Sequence, residues 1–170
     1  MTAILVEPLA RDEIGALSRI HAQCFDDPWS VDMVGRVLDT AGAFGLGVRI
    51  AEAAELSGFA LGRVVVDECE LLSLGVVPAR RRLGLGAALL DAAIARSAAL
   101  GACGFFLEVG EFNRAARGLY DSRGLVPIGR RRAYYELKDG ATMDAVTMRG
   151  DLARLRCSSG GREIARALRS

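Results

Sequence analysis

A strand that has to become a helix through glycine constrains this 170-residue chain more than any other feature. Residues 76–90, VVPARRRLGLGAALL, run an apolar stretch into Pro78, then Arg80, Arg81 and Arg82, then Gly84 and Gly86, then a leucine- and alanine-rich segment. Glycine lets the backbone approach a ligand closely. The unpartnered N–H groups of a helix's first turn, beside cationic side chains, make a seat for an anion. The junction therefore predicts a strand, an anion site and a helix, in that order.

The rest of the chain supplies partners for that strand and helix. TAILVEPL (2–9) reads as an opening strand, and Ile14, Leu17, Ile20, Cys24 and Phe25 recur at helical spacing. The DDPWS segment breaks that helix at Pro28, and Ser30 is placed to cap a second one through about Leu38. AFGLGVRIAEA, ELSGFALGRVVV and ECELLSLGVV follow as three strands on short connections, which predicts an antiparallel meander. A helix over about 84–100 stops at Gly101, and CGFFLEVG (103–110) is apolar enough for a strand covered on both faces. NRAARGLYDSRG reads as a shorter helix capped by Asn113 and ended by Gly124. Two strands joined around Lys138, Asp139 and Gly140 complete the order βααβββαβαββ. That order predicts an α/β (α+β) fold with a mixed central sheet and helices on both faces.

Charge and cysteine usage narrow the function. A net charge of +1 gives no reason to expect nucleic acid as a partner. From Asp151 onward there are five arginines and two acids, a net +3, leaving −2 for residues 1–150. This sets a basic tail (151–170), read as a solvated end or a contact for acidic partners, apart from one domain (1–150). Cys24, Cys69, Cys103 and Cys157 form no C-x-x-C pair and His21 is the single histidine, so no metal site is expected. Cys69 and Cys103 sit in apolar runs and read as small buried hydrophobes. No signal-peptide pattern opens the chain and no apolar run is long enough to cross a bilayer, so the expectation is a cytoplasmic protein off the membrane.

The glycine turn itself discriminates between anions. A P-loop requires lysine after its last glycine, and Ala87 stands there. A dinucleotide fingerprint requires a third glycine, which Gly84-x-Gly86 lacks. What remains is a pyrophosphate turn of the form R/Q-x-x-G-x-G/A, here Arg81-Arg82-Leu83-Gly84-Leu85-Gly86. That pattern resembles the signature of the GNAT acetyltransferase superfamily. Further blocks in register resemble its RimI-like protein N-terminal acetyltransferases: DPWS (27–30), DECELL (67–72), LEVGEFN (107–113), LYDSRGL (119–125) and RRAYY (131–135). The likeness spans roughly residues 2–150.

The resemblance implies a mostly antiparallel sheet whose fourth and fifth strands splay apart, with acetyl-CoA as co-substrate and no metal. It places the coenzyme A pyrophosphate on Arg81, Arg82, Leu83, Gly84, Leu85 and Gly86. Pantetheine would run beside Leu74 and Val76, the acetyl carbonyl near the Val76 N–H, and Asn113 would hold the pantetheine arm as well as capping its helix. Glu108 matches the general base and Tyr120 the general acid. A carboxylate at a strand end and a buried helix tyrosine are the plain structural readings of the same two residues. Trp29, Asp67, Glu68, Tyr134 and Tyr135 resemble positions around the acceptor-peptide groove, although a solvated strand edge accounts for Asp67 and Glu68 nearly as well. Gly110 stands where the family usually carries arginine, and Glu136 where it carries proline. The implied reaction is direct transfer of acetyl to a protein N-terminus, typically a ribosomal-protein alanine. Two further readings stay open: a GNAT enzyme acting on a lysine side chain or small amine, and a non-catalytic acyl-CoA-binding module. The oligomeric state is not readable from the sequence.

Overall fold

The expected meander opens a seven-stranded sheet in a computed structural model that describes residues 3–51 and 53–155. The elements are β1 (Ile4–Pro8), α1 (Ile14–Cys24), α2 (Val31–Asp39), β2 (Ala43–Ile50), β3 (Gly58–Val65), β4 (Glu68–Val76), α3 (Leu85–Ala99), β5 (Gly104–Gly110), α4 (Arg114–Ser122), β6 (Val126–Glu136) and β7 (Thr142–Asp151). The spatial order is β1-β2-β3-β4-β5-β7-β6. Every pairing is antiparallel except β4 with β5, which α3 joins as a crossover.

The local signals act where the sequence placed them. Ser30 Oγ accepts from the Met33 N–H at 3.2 Å, and Asn113 Oδ1 accepts from the Ala116 N–H at 3.2 Å. On one face of the sheet α1 and α2 enclose Ile14, Leu17, Ile20, Val34, Phe59 and Leu61. On the other, α3 lays Leu85, Leu89, Leu90 and Ile94 against Leu46, Val48, Ala60, Phe105 and Leu107. Each buried leucine there contributes about 1.5–3 kcal/mol, which holds the glycine turn at the head of α3 in place. β7 runs through Asp151, and Leu152 and Leu155 pack against this larger core. Cys157 and the rest of the expected basic tail beyond Leu155 lie outside the described residues.

The two cysteines expected in the core divide. Cys69 is buried, and that burial pushes its thiol up to about 11, so it behaves as an inert hydrophobe. Cys103 is exposed. Its backbone is tied on both sides, N–H to Asp67 O at 2.6 Å and C=O to the Leu152 N–H at 2.8 Å, but it lies ahead of β5 and its side chain turns to solvent.

One irregularity shapes the middle of the sheet. Leu61 pairs with Ser73 and Gly62 with Leu71, so Leu72 is an extra residue on β4. The bulge switches which side chains face the larger core, from Cys69 and Leu71 to Leu74 and Val76. It also marks the end of the β4–β5 ladder, whose last pair is Leu71 with Leu107. Beyond it the two parallel strands part.

Candidate active site

The glycine turn follows β4 directly. A single 3₁₀ turn (Pro78–Arg80) leads to Arg82 at φ +66° and Gly84 at φ +82°, and α3 begins at Leu85. A left-handed arginine is an uncommon conformation that the surrounding turn must enforce. The first helical bond runs from the Ala88 N–H to Gly84 O at 3.0 Å, so the N–H groups of Leu85, Gly86 and Ala87 have no helical partner. Together with the positive end of the helix dipole they form an anion seat. The arginines differ in what they offer it. Arg81 Nε donates to Val76 O at 3.2 Å and so folds back on the strand end, Arg82 is exposed, and Leu83 is 53% exposed.

The gap between β4 and β5 begins one residue past the last ladder pair. The Val77 N–H donates to Ser57 O at 2.9 Å, toward β3. Alternation along the strand then turns the N–H groups of Val76 and Leu74 toward the open β5 side. Their side chains pack into the larger core, so what these residues present to the gap is backbone.

On the α1/α2 face of the sheet the gap is bordered by carboxylates. Phe105, Leu107 and Val109 point into the larger core, which sends Glu108 to the opposite face. There Arg131 Nη1 donates to both Glu108 oxygens, at 2.9 and 3.1 Å. The Arg131 guanidinium also lies 4.6 Å from the centre of the Tyr134 ring. Glu70 occupies the same face of β4, opposite Phe106 in the parallel register and Arg63 in the antiparallel one. Burial first, and the Glu108 charge second, raise the Glu70 carboxyl above its ordinary range. Glu70 is a neighbour of Glu108 that the sequence alone does not single out, although it lies within the DECELL block.

Tyr120 lies on the other face, in α4. Its ring is buried in the larger core, and burial, followed by neighbouring Tyr135, pushes the phenol up to about 12. Among the described residues no side-chain polar atom is both buried and unpartnered, and the Tyr120 hydroxyl has no hydrogen-bond partner among them. The ring is therefore enclosed while the hydroxyl oxygen reaches open space. Tyr135 links the two faces electrostatically: it raises Tyr120, and Tyr134 and Glu108 in turn raise it, after its own burial.

A double bulge in β6 aims the aromatic pair. Arg131 pairs with Ala145 and Tyr135 with Met143, so Arg132, Ala133 and Tyr134 stand against Asp144 alone. Ala133 has φ +50°, and its N–H donates to Asp144 Oδ1 at 2.9 Å. Arg130 Nη1 bridges Asp144 Oδ2 at 3.1 Å and Glu111 Oε2 at 2.9 Å. Asp144 thus pins the bulge that sets Tyr134 beside Arg131, the partner of Glu108. Gly110 has a structural reason as well. A Cβ there would stand 2.6 Å from Met143 Cε and 3.9 Å from Tyr135 Cε2, so the methionine fills the space a side chain would use.

The remaining groove positions separate. Trp29 sits in the α1–α2 connection, stacked at 5.0 Å on His21; its N–H donates to His21 Nδ1 at 3.1 Å and its C=O accepts from Ser18 Oγ at 2.8 Å. Burial lowers the His21 pKa against the pull of Asp27, so the ring is a neutral packing group. Cys24 Sγ, at the end of α1, donates to Val76 O at 3.4 Å, and Lys138 Nζ meets Asp26 Oδ1 at 3.1 Å. The α1–α2 and β6–β7 connections therefore meet near the open end of β4. Asp67 and Glu68 do not join them. They lie at the β3–β4 turn, where Arg149 Nη2 donates to Glu68 Oε1 at 2.6 Å, and Glu68 is four residues, about 13 Å, short of the bulge. Among the described residues no three His, Cys, Asp or Glu side chains are grouped to hold a metal ion, and no helix is long and apolar enough to cross a membrane.

A mixed sheet that opens between its parallel strands, beside a glycine turn heading the crossover helix, is the architecture of the GNAT acetyltransferases. Residues 14–125 match the acetyltransferase (GNAT) family, and the chain belongs to it. The chain is 33% identical over 144 residues to the [ribosomal protein bS18]-alanine N-acetyltransferase of Haemophilus ducreyi, covering 85% of this chain and 97% of the relative. It is 35% identical over 156 residues to N-alpha-acetyltransferase RimI of Mycobacterium tuberculosis, covering 87% and 92%. The crystal structure of the ribosomal-protein-S18-alanine N-acetyltransferase from Escherichia coli matches with a TM-score of 0.80 at 29% identity, over 88% of this chain and 94% of that one. The protein is an acetyl-CoA-dependent N-acetyltransferase of this family.

Proposed function

We propose that the enzyme transfers acetyl from acetyl-CoA to the α-amino group of a protein N-terminus, of the ribosomal-protein alanine type, in the cytoplasm. The observation that carries the reading is the placement of a candidate base and a candidate acid on opposite faces of one gap. Glu108 borders it on the α1/α2 side and Tyr120 on the α3/α4 side. The names of relatives more than 30% identical along most of their length support the choice of acceptor.

In this reading residues 1–150 carry the reaction, and the described part of the expected tail, through Leu155, packs on their core. Coenzyme A enters from the α3 side, with its pyrophosphate on the N–H groups and side chains of Arg81 to Gly86. Its pantetheine lies along Leu74 and Val76 and is held by the Asn113 amide nitrogen, while Asn113 Oδ1 caps α4. The acceptor arrives from the other face, between Trp29 and the Tyr134–Tyr135 pair. An α-ammonium has a pKa of about 8, so Glu108, directly or through one water, need remove only a weakly held proton to free the nucleophile. The amine then attacks the thioester carbon, and the gap-facing N–H groups of β4 stabilise the tetrahedral oxyanion. As the C–S bond breaks, the Tyr120 hydroxyl gives its proton to the departing thiolate. The second proton, shed by the attacking nitrogen as the amide forms, passes to solvent, from which the phenolate is restored. Burial keeps that phenol protonated until it is needed.

Incubation with acetyl-CoA and peptides beginning in alanine, serine or methionine, read by mass spectrometry, tests the assignment. Acetylation at the α-amino group of alanine-initiated peptides is expected. Acetylation confined to internal lysines or small amines would overturn it.

A further inference from the structure

Asp91 is the one residue in the middle of α3 whose chemistry the reaction above does not use, and its side chain is only 1% exposed. Arg123, which caps the C-terminus of α4, reaches it with both ends of its guanidinium: Nε to Oδ1 at 2.7 Å and Nη2 to Oδ2 at 3.0 Å. A third Arg123 bond, Nη1 to Ser122 Oγ at 3.1 Å, orients the fork from its own helix. One turn before Arg123 stands Tyr120, whose carbonyl accepts the N–H groups of Arg123 at 3.1 Å and Leu125 at 3.2 Å. Farther up the same two helices, α4 comes close to α3 where Leu119 Cδ2 lies 3.6 Å from the position of a Gly86 Cβ.

We infer that the Asp91–Arg123 fork is a positioning device that sets the Tyr120 hydroxyl against the thioester sulfur. The inference rests on the reading of Tyr120 as general acid. α3 holds one end of coenzyme A, the pyrophosphate, and α4 holds the group that meets the other end, the sulfur. The separation of the two helices is therefore the separation of the acid from its target. Stability alone gives little reason for a buried ion pair, because apolar pairs of similar volume often serve the fold as well or better. What a two-bond guanidinium–carboxylate fork adds is direction: both oxygens are met only in one plane and at one spacing. Arg123 acts through Tyr120 and touches no substrate, so its effect falls on turnover rather than on acetyl-CoA affinity.

The test uses two changes that leave no uncompensated charge at Asp91. Arg123→Lys keeps the charge and loses the fork, and Asp91→Leu with Arg123→Leu replaces the pair by apolar groups. Each is made alone and with Tyr120→Phe, with melting temperature recorded to show that the protein is folded. Release of the coenzyme A thiol is followed with whichever amine the enzyme turns over, so failure of the α-amino assignment does not affect the outcome. Loss of alignment predicts that kcat falls by roughly tenfold in both, with KM for acetyl-CoA within about twofold. Added to Tyr120→Phe, neither lowers kcat further by more than about twofold, because a misplaced acid and a missing acid are the same defect. Full turnover in the apolar pair, or losses that multiply with that of Tyr120→Phe, would overturn the inference while leaving the acid in place. A Tyr120→Phe enzyme at full speed would remove the acid, and the inference with it.

Discussion

Replacing Glu108 by glutamine removes the proposed base while changing little else. Glutamine has the same length and its carbonyl still accepts from Arg131 Nη1, which now donates at 2.9 and 3.1 Å to the carboxylate. The lost ion pair joins a Glu108 side chain 16% exposed to an arginine side chain 59% exposed. Solvent screens such a pair, so the melting temperature is expected to move by about 3 °C or less. Catalysis is affected far more. A positioned general base accounts for about 10²–10⁴ in rate, or about 2.7–5.5 kcal/mol of barrier. Without it the enzyme must wait for amine that is already neutral, and near pH 7 only about a tenth of an α-amino group with a pKa of about 8 is so. Initial rates at saturating acetyl-CoA with an alanine-initiated peptide, from pH 6 to 9, are the assay. The variant should be at least about 100-fold slower at pH 7, and it should gain about ninefold from pH 6 to 7 and about fivefold from pH 7 to 8. Glu70, relieved of the neighbouring charge that helps raise it, becomes less basic and cannot take over. Retention of the full rate at pH 7 would refute the assignment of Glu108.

Tyr120→Phe should lower kcat by roughly 100-fold and leave the Kd for acetyl-CoA within about threefold, measured by single turnover and by titration. Because burial lifts the folded-state phenol from the ordinary 10 to about 12, its contribution to stability is intact below pH 10 and is lost as pH rises toward 12; denaturant midpoints at pH 9 and 11 should show that fall in the wild type and less of it in the variant. Asp144→Ala frees the Ala133 N–H and one partner of Arg130, so the β6 bulge relaxes and peptide turnover should drop by roughly tenfold; Asp144→Asn, which keeps an acceptor for Ala133, should recover most of it. His21, with its pKa lowered by burial, contributes stability that is present above pH 6.5 and lost as pH falls; melting temperatures at pH 7.5 and 5.0 should differ less in His21→Asn, whose Oδ1 replaces the Nδ1 acceptor for Trp29.

The elements were legible because each carries its own local cause. Ser30 and Asn113 cap as short polar side chains do, Gly84 takes the left-handed conformation its place ahead of α3 requires, and the apolar spacing of α1 and α3 matches the faces they bury. What was not legible depends on residues far apart in sequence. Glu68 and Glu70 are two apart on β4 and share a face, so no local pattern separates them. The parallel register does: it sets Glu68 against Gly104 and Glu70 against Phe106, two residues from Glu108. Cys103 sits beside the same apolar run as Phe105, yet β5 begins one residue later. Asp91 and Arg123 are 32 residues apart in sequence, and only the packing of α4 beside α3 brings them together.

The same distinction separates the proposed cofactor side of this site, which is local in sequence, from the proposed acceptor side, which is not. In the proposed reading a pyrophosphate is recognised by backbone N–H groups at one strand-to-helix junction, within the six consecutive residues Arg81 to Gly86. The proposed acceptor groove instead draws on side chains from β4, β5, β6 and the α1–α2 connection, which are far apart in sequence. Two bulges, at Leu72 and at Arg132 to Tyr134, lie in strands whose residues would suit a regular ladder. Leu72 ends the β4–β5 pairing and so opens the gap, while the β6 bulge sets Tyr134 beside Arg131, the partner of Glu108. The irregularities that give this sheet its chemistry are therefore products of pairing, and they become visible only once the strands have met.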